Sequence, residues 1–131
     1  MIVLDTHVWI WWASSPELLS AKAKKAIEHA VVDKELYISS ISSWEVAMLA
    51  ERGRLQLTMP VQDWIAVSEG LSFVTFVPVS NNIAIRSVQL PGKIHNDPAD
   101  RIIISTAISL GAELVSMDKK ILNYGHIKTI W

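Results

Sequence analysis

Apolar residues in this chain alternate between short unbroken runs and stripes at helical spacing. Ile2 to Asp5 is a brief apolar run closed by an acid, the pattern of a strand buried on both faces. A tryptophan-rich segment with Trp9, Trp11 and Trp12 follows, predicted as a helix of about two turns that breaks at Ser14-Ser15-Pro16. From Ser20, Ala23, Ala26, Ile27, Ala30 and Val31 recur on one helical face, with Lys22, Lys24, Lys25 and Glu28 outside it. Leu36 to Ser39 is predicted as a second strand. Ser42 to about Arg52 is predicted as a helix, with Gly53 as its stop.

The same alternation continues. Pro60 opens a helix to about Gly70, and the β-branched and aromatic run Phe73 to Val79 predicts a third strand. Ser80 to Val88 is predicted as helix. The Pro91-Gly92 loop ends at Asp97-Pro98, where an apolar helix runs to Leu110 before Gly111. Leu114 to Ser116 predicts a fourth strand, Lys119 to Leu122 a helical turn or two, and Ile127 to Trp131 a last strand. Strands alternating with helices predict an α/β fold with a mainly parallel sheet of about five strands. No repeat, low-complexity tract or linker divides the chain, so residues 1–131 are read as one domain.

Composition narrows this picture. The 131 residues are 50% hydrophobic and 19% charged, with 12 basic and 13 acidic side chains and a net charge of −1. That balance argues against holding nucleic acid by bulk positive charge, but not against a site whose bound cation supplies the charge. With no cysteine, there is no disulfide framework, thiolate zinc site or cysteine nucleophile. The opening Met-Ile-Val-Leu-Asp-Thr-His lacks a basic n-region, and no apolar run approaches the roughly 20 residues that span a bilayer. A soluble, cytoplasmic protein without a membrane partner is expected.

The candidate chemistry lies in acids. In open parallel sheets ligands bind outside the carboxyl ends of the strands. Asp5 ends the first strand, Asp118 follows the fourth, Glu45 sits in the first turn of the helix after the second, and Asp97 and Asp100 bracket the start of the helix leading into the fourth. Four chain segments thus deliver carboxylates to one rim. Clustered carboxylates repel, and Mg²⁺ or Mn²⁺ resolves the conflict, since such ions prefer oxygen ligands and keep waters for a substrate phosphate. Phosphodiester hydrolysis fits best. Local roles compete at several positions. Ser42-Ser43-Trp44-Glu45 also reads as a capping box, Asp97 as an N-cap before Pro98 at N1, and Asp118 as a cap beside Lys119 and Lys120. Asp5 has the least evident structural purpose.

Asp5-Thr6-His7, Ser42-Ser43-Trp44-Glu45-Val46-Ala47, His95-Asn96-Asp97-Pro98-Ala99-Asp100-Arg101 and Leu114-Val115-Ser116-Met117-Asp118 stand in an order, spanning nearly the whole chain, that resembles PIN-domain proteins, specifically toxin ribonucleases of the VapC type. The resemblance implies a PIN fold with helices on both faces of the sheet. It implies Asp5, Glu45 and Asp100 as core metal-binding acids, Asp118 as a fourth and Asp97 as an accompanying acid. It also implies an Mg²⁺- or Mn²⁺-dependent endoribonuclease with an RNA substrate, a cognate antitoxin and a homodimeric assembly. Where the family has Ile-Ala-x-Ala, this chain has Ile104-Ser105-Thr106-Ala107, a small change expected to pack within the helix.

Thr6 and Ser116 flank two acids and are placed to orient them. Arg101, Lys119 and Lys120 lie near the rim as candidate phosphate contacts or as solvated surface. His7, His29, His95 and His126 show no metal-ligand spacing, and His7 and His95 read as structural or supporting. Trp9, Trp44 and Trp64 read as core. Trp11 and Trp12 are adjacent, so one of them is expected at an interface with an antitoxin or a dimer mate. Two Mg²⁺-dependent rivals fit less well. A haloacid-dehalogenase-like phosphatase needs an acid where His7 stands, and a receiver-like domain needs a phospho-accepting Asp where Pro78-Val79-Ser80 offers none. A non-catalytic PIN-like binding module is the third alternative.

Overall fold

The computed structural model describes residues 1–131. Five strands, β1 (Ile2–Leu4), β2 (Leu36–Ser39), β3 (Val74–Val77), β4 (Glu113–Val115) and β5 (Thr129–Ile130), form one sheet in the order β3-β2-β1-β4-β5. Every pairing is parallel, with Val3 opposite Tyr37 on one side and Leu114 on the other. Seven helices connect the strands: α1 (Thr6–Ser14), α2 (Ala21–Asp33), α3 (Ser40–Glu51), α4 (Val61–Glu69), α5 (Asn81–Val88), α6 (Pro98–Leu110) and α7 (Lys119–Leu122). None is long and apolar enough to cross a membrane.

Side-chain alternation splits the core into two layers. Ile2, Leu4, Leu36, Ile38, Val74 and Val115 face Val8 and Trp9 of α1, Ala23, Ile27 and Ala30 of α2, Val46 of α3 and Trp64 of α4. Val3 and Leu114 face Ile103, Ile104 and Ala107 of α6 and Ile121 of α7 on the opposite side. Both faces of the strands are therefore covered, which is why their sequences read as apolar runs without alternation. The fully buried Trp9 donates its indole N–H to Ser68 at 3.0 Å, so its one polar atom is satisfied. Ser105 is buried, as expected, and donates to the Ile83 carbonyl at 2.7 Å, fastening α6 to α5.

Several expectations shift. The strands at Phe73–Val79 and Ile127–Trp131 are shorter than their apolar runs, and α3 starts at Ser40 rather than Ser42. The adjacent tryptophans of α1, Trp11 and Trp12, separate. Trp11 leans on Trp131 and Trp12 on Phe73, with ring centroids 6.0 and 6.2 Å apart. Both are half-buried and pack against the core of their own chain, so the adjacency does not turn one of them fully outwards. Trp44, expected in the core, is 56% exposed. Gly111 follows α6 at φ +65°, the left-handed turn that ends the helix and returns the chain to β4.

Candidate functional site

The strand order reverses between β1 and β4, and a crevice opens there beyond their carboxyl ends. Asp5 stands at that point. It is 7% exposed and caps α1, with Oδ1 accepting the Thr6 N–H at 2.9 Å, so this acid has a local role as well. Its Oδ2 accepts from the Ser116 hydroxyl at 2.7 Å, and Ser116 in turn accepts the Asp118 N–H at 3.0 Å. One hydroxyl thus ties the ends of the two central strands together.

Glu45 lies in the second turn of α3. Ser39 caps this helix, its hydroxyl accepting from the Ile41 amide at 3.2 Å, so the Ser42–Glu45 capping box does not form. The cause is local degeneracy: several serines in this stretch are competent caps, and the chain uses the one at the end of β2. Freed from capping, Glu45 Oε1 lies 2.5 Å from the Thr6 hydroxyl, which is also 2.8 Å from Ser42 Oγ. A hydroxyl carries one proton and a carboxylate only accepts, so Thr6 donates to Glu45 and Ser42 donates to Thr6.

Asp97 caps α6, its Oδ1 accepting the Asp100 N–H at 2.9 Å, and Pro98 follows at N1 as predicted. Asp100 is half-buried in the first turn, with Oδ2 2.6 Å from His95 Nε2. Nε2 therefore carries the proton in this contact, and the buried Nδ1 has no partner. The loop bearing His95 is held by Arg101, which donates to the carbonyls of Ser87 (2.8 Å), Ile94 (3.3 Å), His95 (3.4 Å) and Val88 (3.4 Å). This guanidinium is turned to backbone, and so is neither the phosphate contact nor the solvated surface group between which the sequence left it. Asp118 caps α7, with Oδ1 accepting the Lys120 N–H at 2.8 Å.

All five acids line one cavity of about 430 Å³, together with Thr6, His7, Trp11 and Met117. No lysine or arginine lines it. Burial, more than any other cause, raises the Asp5 carboxyl from 3.8 to about 6, opposed by the Ser116 hydrogen bond and reinforced by Asp100. Burial likewise pushes Glu45 from 4.5 to about 7, opposed by Thr6 and reinforced by Asp5, Asp100 and Asp97. Asp100 is raised by burial against the His95 hydrogen bond, with Asp97 and Asp118 adding repulsion. The positive N-termini of α1 and α6 point at the cluster and offset part of this repulsion, but they do not neutralise it.

A hard divalent cation fits such a donor set. One candidate ligand atom each from His95, Asp100 and Asp118 lies within 4.8 Å of the others; with Nε2 of His95 donating to Asp100, the carboxylates of Asp100 and Asp118 are the groups of this trio that would hold an ion. His95, read from the sequence as structural or supporting, takes that role by pairing with Asp100, although no metal-ligand spacing singled out its partner. Its only signal was its place five residues before an acid.

Residues 2–127 match the PIN domain family. The chain is 39% identical over 132 aligned residues to Ribonuclease VapC22 of Mycobacterium tuberculosis, with 99% of this chain and 98% of the relative covered. Two solved structures share the fold. A chain of a toxin–antitoxin complex from Klebsiella pneumoniae matches with a TM-score of 0.64 at 24% identity, covering 95% of this chain and 93% of its own. A chain of VapBC2 from Rickettsia felis, bound to a DNA fragment from its promoter, matches with a TM-score of 0.71 at 18% identity, covering 98% and 97%. This chain belongs to the PIN-domain family, and within it to the VapC type.

Proposed function

We propose that this protein is a divalent-metal-dependent endoribonuclease and the toxin half of a toxin–antitoxin pair. The observation that carries the reading is a cavity lined by five carboxylates and by no lysine or arginine, at the point where the strand order reverses. The similarity to a ribonuclease over 99% of the chain supports RNA as the substrate. The Klebsiella likeness supports an antitoxin partner. The complete set of acids favours a working enzyme over a binding module.

Asp5 and Asp100 would hold the cation, with Asp118 beside them and Glu45 facing the attacking water. When bound, Mg²⁺ or Mn²⁺ would supply the positive charge that the cavity lacks and that a scissile phosphate requires. The chain's own groups supply order and proton transfer. Ser116 fixes the Asp5 carboxylate, His95 fixes Asp100, and the Ser42–Thr6 pair fixes Glu45. Thr6 engages Oε1 of Glu45, so the carboxylate is held in place to orient the attacking water and accept its proton. Asp97 acts as the cap that sets Asp100.

The test is cleavage of mixed cellular RNA by the purified protein with Mg²⁺ or Mn²⁺, beside the Asp5→Asn variant. Cleavage by the wild type that chelation stops and Asp5→Asn abolishes is the expected result. Full activity in Asp5→Asn overturns the assignment, and RNA binding without cleavage in the wild type makes the protein a binding module.

A further inference from the structure

Trp44 is the exposed tryptophan that the fold does not account for. On α3, Ile41, Trp44, Glu45 and Met48 recur at i, i+3, i+4 and i+7 and so share one face. With Pro98 and Ala99 at the start of α6 and with Asp97, that face walls a slot of about 290 Å³. Glu45 and Asp97 line both this slot and the acid cavity, so the two hollows adjoin. We propose that the slot receives one unpaired base of the RNA strand, stacked on the Trp44 indole, beside the phosphate held at the acids. The proposal rests on the ribonuclease reading above.

Three features choose this occupant. No cationic side chain lines the slot, so it is built for a ring and not for a phosphate. The chain carries a net charge of −1, so bulk attraction for the RNA backbone is weak and affinity must come from elsewhere. Stacking of a base on an aromatic side chain supplies it without sequence preference, and the unbranched Met48 adapts to any ring. A second copy of this chain is a poorer occupant. A two-fold contact centred on Trp44 would bring Glu45 and Asp97 towards their own duplicates, where like charges repel.

The experiment uses the cleavage-silent Asp5→Asn protein and fluorescein-labelled, unstructured oligoribonucleotides of mixed sequence, read by anisotropy. Binding by the parent protein, a loss of about tenfold on adding Trp44→Ala, and retention with Trp44→Phe are expected, since base–aromatic stacking spans about 5- to 150-fold in affinity. Probes with one abasic position, moved along the strand, should show a single position that weakens binding to the parent and is silent in the Trp44→Ala protein. No cleavage of the same probes by the wild type with Mg²⁺ or Mn²⁺ removes the RNA reading itself, whereas cleavage by the wild type without binding by the parent overturns the slot as a source of affinity. Equal binding by the parent and the Trp44→Ala variant overturns the slot alone. A loss of affinity that comes with a change in mass by light scattering assigns Trp44 to a contact between copies and overturns stacking.

Discussion

The Ser116 hydroxyl donates to Asp5 Oδ2 at 2.7 Å across 111 residues of chain, and both groups are buried. Because the same hydroxyl accepts the Asp118 amide, it sets the spacing between two acids as well as the angle of one. Ser116→Ala leaves the shape of β4 intact but frees one oxygen of Asp5. Loss of a group that orients a metal-binding carboxylate costs about 10- to 100-fold in metal affinity or activity. Isothermal titration with Mn²⁺ should show a loss in that range while circular dichroism stays unchanged; unchanged Mn²⁺ affinity would remove Ser116 from this role.

The acids make the protein's stability depend on pH in an unusual direction. A carboxyl raised in the folded chain binds its proton more tightly there than in the unfolded chain. The stability this confers is full below the ordinary value near 4 and is lost as pH rises through about 6 for Asp5 and about 7 for Glu45. With the cation chelated, these two groups should lower the melting temperature between pH 5 and pH 8. Mg²⁺ or Mn²⁺ at one fixed concentration, about 100 times its dissociation constant at pH 8, should then raise it by about 10 °C at pH 8 and far less at pH 5, where protons compete for the acids. Melting scans at the two pH values, with and without metal, check both halves. Equal stabilisation by metal at pH 5 and pH 8 would contradict the coupling.

Much of this arrangement was legible in the sequence. Apolar runs ending in Asp5 and near Ser116 read correctly as buried strands because both faces of the sheet are covered, and parallel strands bring their ends to one edge. What did not read depended on packing between distant segments. Ser39, Ser40, Ser42 and Ser43 can each cap a helix, so composition alone did not choose where α3 starts. Trp44 looked like core by residue type, yet it shares its helix face with Glu45 and opens outwards with it. Arg101 looked like a phosphate ligand by charge, but the loop before α6 leaves carbonyls unpaired at its guanidinium.

Asp97 separates a cap from a metal ligand. Its Oδ1 accepts the Asp100 amide, a role asparagine fills equally well. Asp97→Asn should therefore keep the melting temperature and hold Mn²⁺ affinity within about twofold, whereas Asp97→Ala should cost about 1 kcal/mol of stability. Urea denaturation and metal titration of the pair decide it. A large loss of metal affinity in Asp97→Asn would make the carboxylate a ligand after all.

Arg101 offers the sharpest contrast between what charge suggests and what contacts do. Its four carbonyl partners come from the end of α5 and the loop that carries His95, so the guanidinium closes that loop over the first turn of α6. Lysine has no planar fork and cannot serve carbonyls spread over two segments. Arg101→Lys should thus destabilise the fold by about 1–3 kcal/mol. It should also weaken metal binding, because His95 is no longer held against Asp100. A phosphate-contacting arginine would behave differently: the lysine variant would keep its stability, and Arg101→Ala would reduce the salt dependence of RNA binding by about one charge. Denaturation of Arg101→Lys, together with the salt dependence of oligoribonucleotide binding by Asp5→Asn with and without Arg101→Ala, distinguishes the two. An unchanged salt slope with a lowered unfolding midpoint is the expected pair of results.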